Sequence, residues 1–540
     1  MTNIINKLKY FRRYRFILKI LIRYGFDNIV EALNLDSYVN YWYSFFGVRK
    51  KWEIKKISNE KRLRLAIEEL GPTFIKLGQL LSTRPDIVPK SYIQEFQKLQ
   101  DDVNEEDYFT IRSVIERTLD TEVENVFSHI YVKPLGTASI AQVHEAELKT
   151  GEKVVVKVKK SNVEETIKLD LKILLNLAYV IEKTVPSLKV YKPVEITGEF
   201  FEMLTGELDF NLEARSNDIM ASHFKDFEGF IVPKIYWEYT SQNIIVMEKM
   251  DGEKLSDIMF SDDPRKKQLA SLLARIFIKQ ILEKGFFHGD PHPGNIIVVD
   301  GNKIAFIDYG AVGKVDELTQ DQILDMIYSL ASGNTERLIS FFKRNGVITQ
   351  ESNIRKLRSD IENLVQKYWN MPINKIDSTA LLNRLSDLIA LHKLNIRADF
   401  FIIAKTLVLA DGIIRALNPN INVLSESSEF ITKLIKNRYS FTKISRSVLE
   451  MVDSYRNLAI RLPYLIEDWA AHREQQKNEP NTVKELKYFS LAFLSFGMIL
   501  ASTQFLKYEI FPYFYGYSFP GVLLLGFSLM ILFKVLRKIR

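Results

Sequence analysis

The sequence predicts an α+β fold for this chain of 540 residues. Short runs of β-branched and other apolar residues, typical of strands, occur from Val154 to Val158, from Ile296 to Val299 and from Lys303 to Ile307. Most of the remaining sequence has apolar residues at the spacing of amphipathic helices. We therefore expect a β-containing centre with long helices before and after it.

The predicted helices each carry one apolar stripe, because their apolar residues recur at every third or fourth position. They run from Val163 to Lys183, Lys266 to Glu283, Thr319 to Ser332, Asn353 to Trp369, Ser378 to His392, Phe400 to Leu417 and Ser428 to Arg438. A further helix, from Thr73 to Thr83, carries Lys76 and Gln79 three positions apart and therefore on one face. A solvated polar face is the simplest interpretation of such a pair.

Length and composition narrow the class of protein. The chain has room for about two or three domains, each large enough to bury a core. The absence of cysteine excludes disulfides and thiolate chemistry and suits a cytoplasmic location. The net charge of +7 is partly concentrated before the first acidic residue, Asp27, but no recognised nucleic-acid motif accompanies it. Nucleic acid is therefore not an expected partner.

The most informative motif runs from His288 to Asn295 and reads His-Gly-Asp-Pro-His-Pro-Gly-Asn. Its prolines place Asp290 in a turn, and the predicted hairpin that follows brings Asn295, before its first strand, close to Asp308, after its second. Phosphoryl transfer from ATP requires a carboxylate near the nucleophile and oxygen ligands for Mg²⁺. We interpret Asp290 as the catalytic carboxylate and Asn295 and Asp308 as metal ligands.

Other interpretations of this motif remain open at this point. His288 and His292 stand four positions apart and could bind zinc, but the prolines and glycines of the motif oppose the helix that such a site requires. Asp and Asn residues could also simply cap turns. The HGDxxxxN pattern, moreover, resembles the catalytic loop of small-molecule phosphotransferases of the aminoglycoside and choline kinase type.

An upstream hairpin supplies a candidate phosphate-binding lysine. Alternating valines from Val154 to Val158 predict a strand after the Thr150-Gly151 turn, with the segment from Ile140 to Ala146 as its partner. Lys157 lies on this second strand, like the kinase lysine that holds the α- and β-phosphates of ATP. A later strand-like stretch ends at Met247-Glu248-Lys249-Met250, a candidate hinge for adenine.

Several segments resemble motifs of the UbiB/aarF family of atypical kinases. Lys76-Leu77-Gly78-Gln79 matches the KxGQ motif, Gly136-Thr137-Ala138-Ser139 resembles the alanine-rich nucleotide loop, and Glu207-Leu208-Asp209 matches the ExD motif. The HGDPHPGN and Asp308-Tyr309-Gly310 segments complete the set in the family's order. The resemblance covers nearly the whole chain.

This resemblance implies roles for individual residues. The residues implied to be catalytic are Asp290, Lys76 and Gln79, and those implied to bind metal are Asn295 and Asp308. The residues implied to bind the nucleotide are Leu135, Gly136, Thr137, Ala138, Ser139, Ile140, Ala141, Gln142, Val143, Lys157, Glu207, Asp209 and Glu213.

The resemblance also implies two spatial relationships. Glu213 should pair with Lys157, as a helix glutamate pairs with the strand lysine in the family. The KxGQ helix should cover the active site, so that Lys76 and Gln79 lie near the ExD motif. Such a lid would obstruct a protein substrate.

The N-terminal segment combines basic and apolar residues before Asp27. Its basic residues are Lys7, Lys9, Arg12, Arg13, Arg15, Lys19 and Arg23. This basic amphipathic pattern suits an anionic membrane surface. Docking of the same helix onto the protein itself is the alternative. A signal peptide is not expected, because charged residues interrupt the apolar run.

Two uncharged apolar runs near the C-terminus predict a transmembrane helical hairpin. They run from Tyr488 to Leu506 and from Ile510 to Phe533, and each is about long enough to cross a bilayer. Basic residues precede the first run and follow the second, so both outer ends and the kinase-like region should face the cytoplasm. Buried helices of a soluble core are the alternative.

We therefore predict an α+β, atypical protein-kinase-like fold with an N-terminal helical extension and a C-terminal transmembrane helical hairpin. The expected regions are a basic N-terminal region (1–60), a KxGQ helical extension (61–125), an N-lobe-like nucleotide-binding region (126–250), a mostly helical C-lobe (251–470), a linker (471–487), two transmembrane helices (488–533) and a basic tail (534–540).

The expected cofactors are ATP and Mg²⁺, used for phosphotransfer or hydrolysis. The family resemblance implies a role in ubiquinone biosynthesis as a multi-pass protein of the cell inner membrane. Its implied partners are membrane lipids, isoprenoid quinone precursors and other enzymes of ubiquinone biosynthesis. The alternatives are a nucleotide-binding lipid scaffold without turnover and a small-molecule kinase.

Overall fold

The computed structural model describes residues 2–26, 57–82, 84, 87–99, 105–184, 189, 192–344, 346–348, 353–368, 378–392, 394, 398–421, 423–426, 428–438, 495, 513–514, 517–518 and 525–530. The chain divides into two compact units, Met1–Glu429 and Phe430–Arg540.

Helices precede the first strand of the larger unit. They are α1 (Thr2–Arg23), α2 (Asn59–Leu70), α3 (Pro72–Leu81), α4 (Lys90–Phe96), α5 (Tyr108–Leu119) and α6 (Val123–Val126). Ser58 caps α2 by accepting a hydrogen bond from the backbone N–H of Lys61, and Gly71, at φ 98°, separates α2 from α3. The predicted helix that carries Lys76 and Gln79 is thereby confirmed as α3.

The first sheet is antiparallel and five-stranded. Its strands are β1 (Phe127–Ile130), β2 (Gly136–Thr137), β3 (Ala141–Leu148), β4 (Lys153–Lys159) and β6 (Ile244–Glu248), in the order β1-β3-β4-β6 with β2 paired to β3, whereas β5 (Phe230–Ile231) belongs to a second sheet. The turn between β3 and β4 contains Gly151 at φ 96°, a conformation that favours glycine. The predicted hairpin is confirmed.

Both faces of this sheet are buried. On one face, Val154, Val156 and Val158 are fully buried against the helix α5. On the other face lie α7 (Val163–Thr184), α8 (Pro193–Glu207) and α9 (Phe210–Phe224). Complete burial of a valine side chain stabilises a fold by about 1.5 to 2 kcal/mol, so the alternating valines fix which face of β4 Lys157 occupies.

A mixed sheet positions the second group of functional residues. Its order is β5, β10 (Lys303–Phe306), β9 (Ile296–Val299) and β7 (Gly252–Lys254). β9 and β10 form the predicted antiparallel hairpin, whose turn contains Asp300 at φ 50° and Gly301 at φ 78°. Separately, β8 (Phe286–His288) pairs with β11 (Val312–Lys314).

The remaining described helices of the chain follow or flank these strands. They are α10 (Leu255–Met259), α11 (Lys266–Ile278), α12 (Glu317–Ala331), α13 (Thr335–Arg344), α14 (Ile354–Tyr368), α15 (Ser378–His392), α16 (Ala398–Leu417), α17 (Val423–Glu426) and α18 (Ser428–Arg438). The predicted helices are confirmed, with small shifts at their ends. One feature was not predicted: α11 continues as a π-helical turn, Lys279–Lys284.

The N-terminal helix α1 docks on the protein. Ile17 and Ile20 are buried against α2, α3 and α7. The earlier part of α1 carries exposed apolar side chains, among them Leu8, Phe11 and Phe16. One face of this helix therefore docks onto the protein itself, which was the alternative to membrane binding. The outward face remains a predicted membrane surface.

No helix in the described part of the chain is long and apolar enough to cross a membrane. The predicted spans, from Tyr488 to Leu506 and from Ile510 to Phe533, lie mostly outside the described residues. Within the second span, β12 (Tyr513–Phe514) pairs with β13 (Tyr517–Ser518), and residues 525–530 are helical. The prediction of one continuous helix from Ile510 is therefore wrong at its start, because aromatic residues around Gly516 favour extended strands.

Candidate functional site

Lys157 lies in the middle of β4, opposite Val143 on β3. Because side chains alternate along a strand, it points away from the face on which Val156 and Val158 are buried. Its ammonium donates hydrogen bonds to both carboxylate oxygens of Glu213, at 2.7 and 2.8 Å. The ion pair that the family resemblance implies is present.

Glu213 is supplied by the first turn of α9. Asp209 begins this helix by accepting a hydrogen bond from the backbone N–H of Asn211 at 3.1 Å. The ring of Phe210 lies beside the lysine, with its centroid 5.6 Å from Lys157 Nζ, a cation–π distance. Glu213 itself is buried. The end of α8 and the start of α9 thus hold a carboxylate against the β4 lysine.

Asp308 brings a second carboxylate to Lys157. It follows β10, and its Oδ1 lies 3.6 Å from Lys157 Nζ. The same oxygen accepts a hydrogen bond from the backbone N–H of Gly310 at 2.9 Å. A Cβ at Gly310 would lie 3.2 Å from Asp308 Oδ1, so glycine leaves room for this contact. We refer to Lys157, Glu213 and Asp308 as the charged cluster.

Burial and mutual charge shift the pKa values in the charged cluster. Burial, helped by the negative charge of Asp308, raises the pKa of Glu213 to about 7 despite the nearby Lys157. Burial also tends to raise the pKa of Asp308, but Lys157 and the Gly310 hydrogen bond outweigh it and hold that pKa well below its usual range. Burial would lower the pKa of Lys157, yet both carboxylates raise it above its ordinary value. At neutral pH, Asp308 is therefore ionised and Lys157 is charged.

The KxGQ helix contributes Lys76 to the edge of this cluster. Lys76 Nζ lies 3.3 Å from a carboxylate oxygen of Glu207, at the end of α8. The positive charge of Lys76 also helps to lower the pKa of Asp308. One of the implied contacts is thus present, that of Lys76 with Glu207 of the ExD motif. Asp209, the other acid of that motif, instead caps α9.

The loop from β8 to β9 carries Asp290 and Asn295. The backbone carbonyl of Asp290 accepts from the N–H of His292 at 2.7 Å, and a short 3₁₀ turn, Pro293–Asn295, follows. The carbonyl of Asn295 accepts from the N–H of Ile307 at 3.1 Å. Asn295 therefore lies beside the residue that precedes Asp308, as the predicted hairpin requires.

The histidines of this loop have local structural contacts. Nδ1 of His288 accepts from the backbone N–H of Asp290 at 3.1 Å, and Nδ1 of His292 accepts from that of Gly294 at 3.1 Å. Burial lowers the pKa of His288, which keeps the ring neutral and able to accept. Over the described residues, no group of three or more His, Asp or Glu is arranged to hold a metal. These contacts favour turn formation over zinc binding.

The implied nucleotide loop forms a hairpin with the start of β3. Gly136 and Thr137 form β2, opposite Val143 and Gln142, and the N–H of Ala138 donates to the carbonyl of Ala141 at 2.8 Å. Ser139 and Ile140 are buried, whereas Leu135 is exposed. The loop is thus a tight hairpin paired with β3, on the side of β3 opposite to β4 and Lys157.

The side chain of Gln142 lies on the other face of the sheet from Lys157. It shares a face with Val158, the residue opposite it on β4, and not with Lys157. Its amide accepts from the N–H of Glu106 at 2.9 Å and donates to the Glu106 carbonyl at 3.2 Å. The Glu106 carboxylate in turn accepts from Ser161. Gln142 therefore ties the segment before α5 to the sheet, a contact between distant segments that the sequence pattern did not indicate.

The candidate hinge begins within β6, at Met247, and continues past the end of that strand. Met247 pairs with Val155, and Lys249 donates to Glu145 at 2.6 Å, which holds the segment against the first sheet. Its role in binding adenine stays a prediction, as do the roles assigned to the individual site residues.

Comparison with known proteins agrees with this arrangement. A family model described as the ABC1 atypical kinase-like domain matches residues 98–342, and one described as the UbiB helical domain matches residues 361–422. A solved structure, the complex of Rv3197 with erythromycin from Mycobacterium tuberculosis, has a TM-score of 0.49 and 22% identity, over 70% of this chain and 96% of its own.

Curated relatives match over most of the chain. A probable protein kinase UbiB of Pseudomonas fluorescens (strain Pf0-1) is 30% identical over 512 residues, 92% of this chain and 95% of its own. A probable protein kinase UbiB of Xylella fastidiosa (strain 9a5c) is 28% identical, over 85% of each chain. An uncharacterized protein of Clostridium pasteurianum is 29% identical, over 96% of this chain and 98% of its own.

The fold, the charged cluster and the family models together define a protein-kinase-like domain, and such a domain implies ATP binding. The chain belongs to the UbiB family of atypical kinases.

Proposed function

We propose that this protein is a membrane-associated, ATP-dependent kinase or ATPase of the UbiB type. The observation that carries the proposal is the charged cluster, in which Lys157 pairs with Glu213 and lies 3.6 Å from Asp308. In protein kinases, a strand lysine held by a helix glutamate binds the α- and β-phosphates, and an aspartate after the following hairpin binds magnesium. The same groups meet here.

Magnesium would be held by Asp308 and Asn295. Both supply oxygen ligands, which Mg²⁺ prefers, and the depressed pKa of Asp308 keeps its carboxylate ionised. Bound there, the ion would supply neutralising charge for the phosphates. The residues present therefore fit a nucleotide-bound magnesium ion.

Asp290 is the proposed base or water-positioning group. It lies in the loop between β8 and β9, and its backbone is held on both sides by hydrogen bonds to His288 and His292. A carboxylate near the attacking hydroxyl or water accepts its proton or orients it. Lys76, paired with Glu207, would screen the negative charge of the phosphates from the ExD motif.

The proposed context is ubiquinone biosynthesis. Relatives from two genera that match most of this chain are named probable protein kinase UbiB, and membership of that family supports this role. The Lys76–Glu207 contact supports the proposal that α3 covers the site, where it would leave less room for a protein substrate. We therefore propose an isoprenoid quinone precursor, or control of access to one, as the target of ATP use.

The proposed membrane contact has two parts. On α1, exposed Arg12 and Arg15 stand beside exposed Leu8 and Phe11, a combination that suits an anionic lipid surface. The uncharged runs near the C-terminus supply the proposed hairpin anchor in the inner membrane, with its helical part after the β12–β13 pair in the second run.

Calorimetry and phosphate release on the full-length protein in anionic vesicles test this proposal. We expect magnesium-dependent ATP binding and release of phosphate, both lost in Lys157→Met. Lys153→Met is the matched control, because Lys153 lies on the same strand with 65% of its side chain exposed. Unchanged ATP binding in Lys157→Met would contradict the assignment of the site.

The alternatives predict different results in the same experiment. Nucleotide binding without phosphate release, even with quinone precursors in the vesicles, would indicate a lipid scaffold. A phosphorylated small molecule detected by mass spectrometry would indicate a small-molecule kinase.

A further inference from the structure

The helix α11 reaches the catalytic loop through an unusual turn. After Ile278 it continues as one π-helical turn, Lys279–Lys284, which ends at Gly285 with φ 60°. Turns of this kind are rare and occur frequently at functional sites. A Cβ at Gly285 would lie 2.3 Å from the carbonyl oxygen of Val315, so glycine is required where the chain leaves the helix. After Gly285 the chain enters β8 (Phe286–His288), and Asp290 follows two residues after the end of this strand.

Gln280 is a polar residue in an apolar interior. Its side chain is fully buried, as are its neighbours Phe277, Ile278 and Ile281. Oε1 of Gln280 accepts a hydrogen bond from the backbone N–H of His288 at 3.0 Å. Its Nε2 has no hydrogen-bond partner among the described residues. An amide that is buried with one end unsatisfied is unfavourable, so the accepting oxygen is the part of this side chain that the structure uses.

The backbone N–H of His288 depends on Oε1 of Gln280 for its hydrogen bond. Among the described residues β8 pairs with β11 alone, and directly after that pair Gly289 donates to the carbonyl of Ala311 at 2.8 Å. In an antiparallel pair, successive N–H groups point to opposite sides, so the N–H of His288 points away from β11. A buried backbone donor without a partner is costly. Gln280 supplies the partner that a neighbouring strand would otherwise supply.

Through His288 this contact reaches Asp290. The imidazole Nδ1 of His288 accepts from the backbone N–H of Asp290 at 3.1 Å. Gln280 therefore fixes the backbone of His288, and the ring of His288 fixes the turn that carries the carboxylate. We propose that Gln280 is a positioning residue for Asp290. This inference rests on the proposed function, in which Asp290 acts on the reacting group.

Three variants of the full-length protein separate this role from simple packing. Gln280→Met keeps the length of the side chain and removes the acceptor, whereas Gln280→Glu keeps an acceptor oxygen. Gln320→Met is the matched control. Gln320 is also buried, and its Nε2 donates to the carbonyl of Ile281 on the same π-helical turn at 3.2 Å.

Two measurements on the wild type and these variants test the proposal. The first is the backbone hydrogen exchange of His288 at single-residue resolution, since it reports the bond directly. We expect exchange to be at least about tenfold faster in Gln280→Met, and near the wild-type rate in the other variants. The second is steady-state ATP turnover. We expect kcat to fall about 10- to 100-fold in Gln280→Met, while the KM for ATP stays within about twofold of wild type. In Gln280→Glu we expect kcat to return toward the wild-type value.

Particular outcomes would overturn the proposal. Unchanged exchange at His288 in Gln280→Met would show that the hydrogen bond does not hold the strand. An equal loss of turnover in Gln320→Met would assign the effect to packing of the π-helical turn. If the wild-type protein shows no turnover, the proposed function fails, and the exchange measurement still decides whether Gln280 positions the loop.

Discussion

Arg13 of α1 donates two hydrogen bonds to the carboxylate of Asp170 on α7, from Nε to Oδ1 at 2.7 Å and from Nη2 to Oδ2 at 2.8 Å. The Asp170 side chain is fully buried, whereas 20% of the Arg13 side chain is exposed. The same Nη2 donates to the carbonyl of Leu70 at 2.8 Å. One guanidinium thus joins the N-terminal helix to α7 and to the segment that leads into the KxGQ helix.

Loss of the Arg13 side chain should destabilise the protein. In Arg13→Met, Asp170 becomes a buried carboxylate without its cation, a change that costs about 3 to 5 kcal/mol in other proteins. Lys9→Met is the control, because Lys9 forms an exposed ion pair with Glu165 and should cost less than about 1 kcal/mol. Denaturant unfolding measures both free energies. Similar small losses in the two variants would show that α1 is not held by Arg13.

Removal of the Tyr309 hydroxyl should stabilise the protein. Tyr309 follows Asp308, is 2% exposed, and its hydroxyl has no hydrogen-bond partner among the described residues. Burial also raises the pKa of this phenol well above its usual value, so the hydroxyl is neutral. Tyr309→Phe keeps the ring and should raise the free energy of unfolding by about 1 kcal/mol. A loss of stability would instead reveal a polar partner for the hydroxyl.

Replacement of Asp308 should impair nucleotide binding that depends on magnesium. In Asp308→Asn, the proposed metal site loses a carboxylate that is ionised in the folded protein, so the ion is less well neutralised. Calorimetric titration with ATP should show an affinity at least about tenfold weaker with Mg²⁺ present, and little change without it. Equal affinities of wild type and variant would remove Asp308 from the metal site.

Replacement of Asp290 should separate binding from turnover. Asp290→Asn keeps the shape of the side chain and the backbone contacts of its turn, so ATP should still bind. The amide cannot accept a proton, and turnover should fall about 100- to 10,000-fold. A variant with normal kcat would place the catalytic group elsewhere.

The membrane proposal predicts two separable contributions. Truncation before Lys484 should release much of the protein, while α1 should retain a fraction that salt can release. Charge reversal at exposed Arg12 and Arg15 should abolish this fraction, whereas Lys149→Glu, in the exposed β3–β4 turn, should not. Vesicle flotation at low and high salt measures the fraction of protein bound through the C-terminal anchor and the fraction bound through α1. Extraction of the full-length protein by high salt or carbonate alone would rule out a spanning anchor.

Local structure could be predicted from the sequence because its causes are local. Helical hydrogen bonds join residues four apart, and strand side chains alternate, so periodicity alone predicted the helix Ser378–His392 and the β9–β10 hairpin. The π-helical turn at Lys279–Lys284 was not predictable in this way, because the same apolar spacing predicted an ordinary helix as far as Glu283.

The sequence by itself determined the motifs, their order and the strand that carries Lys157, since alternating valines leave only one face of β4 for the lysine. The resemblance of motifs supplied the pairing of Lys157 with Glu213, 56 residues away, and the structure contains it. Three contacts were decided only by the tertiary structure. Arg13 donates to Asp170, the Gln142 side chain points away from Lys157 and binds Glu106, and Gln280 accepts from the backbone N–H of His288. These contacts depend on which distant segments are buried together, and burial of a polar group selects its partner through packing that no local pattern specifies.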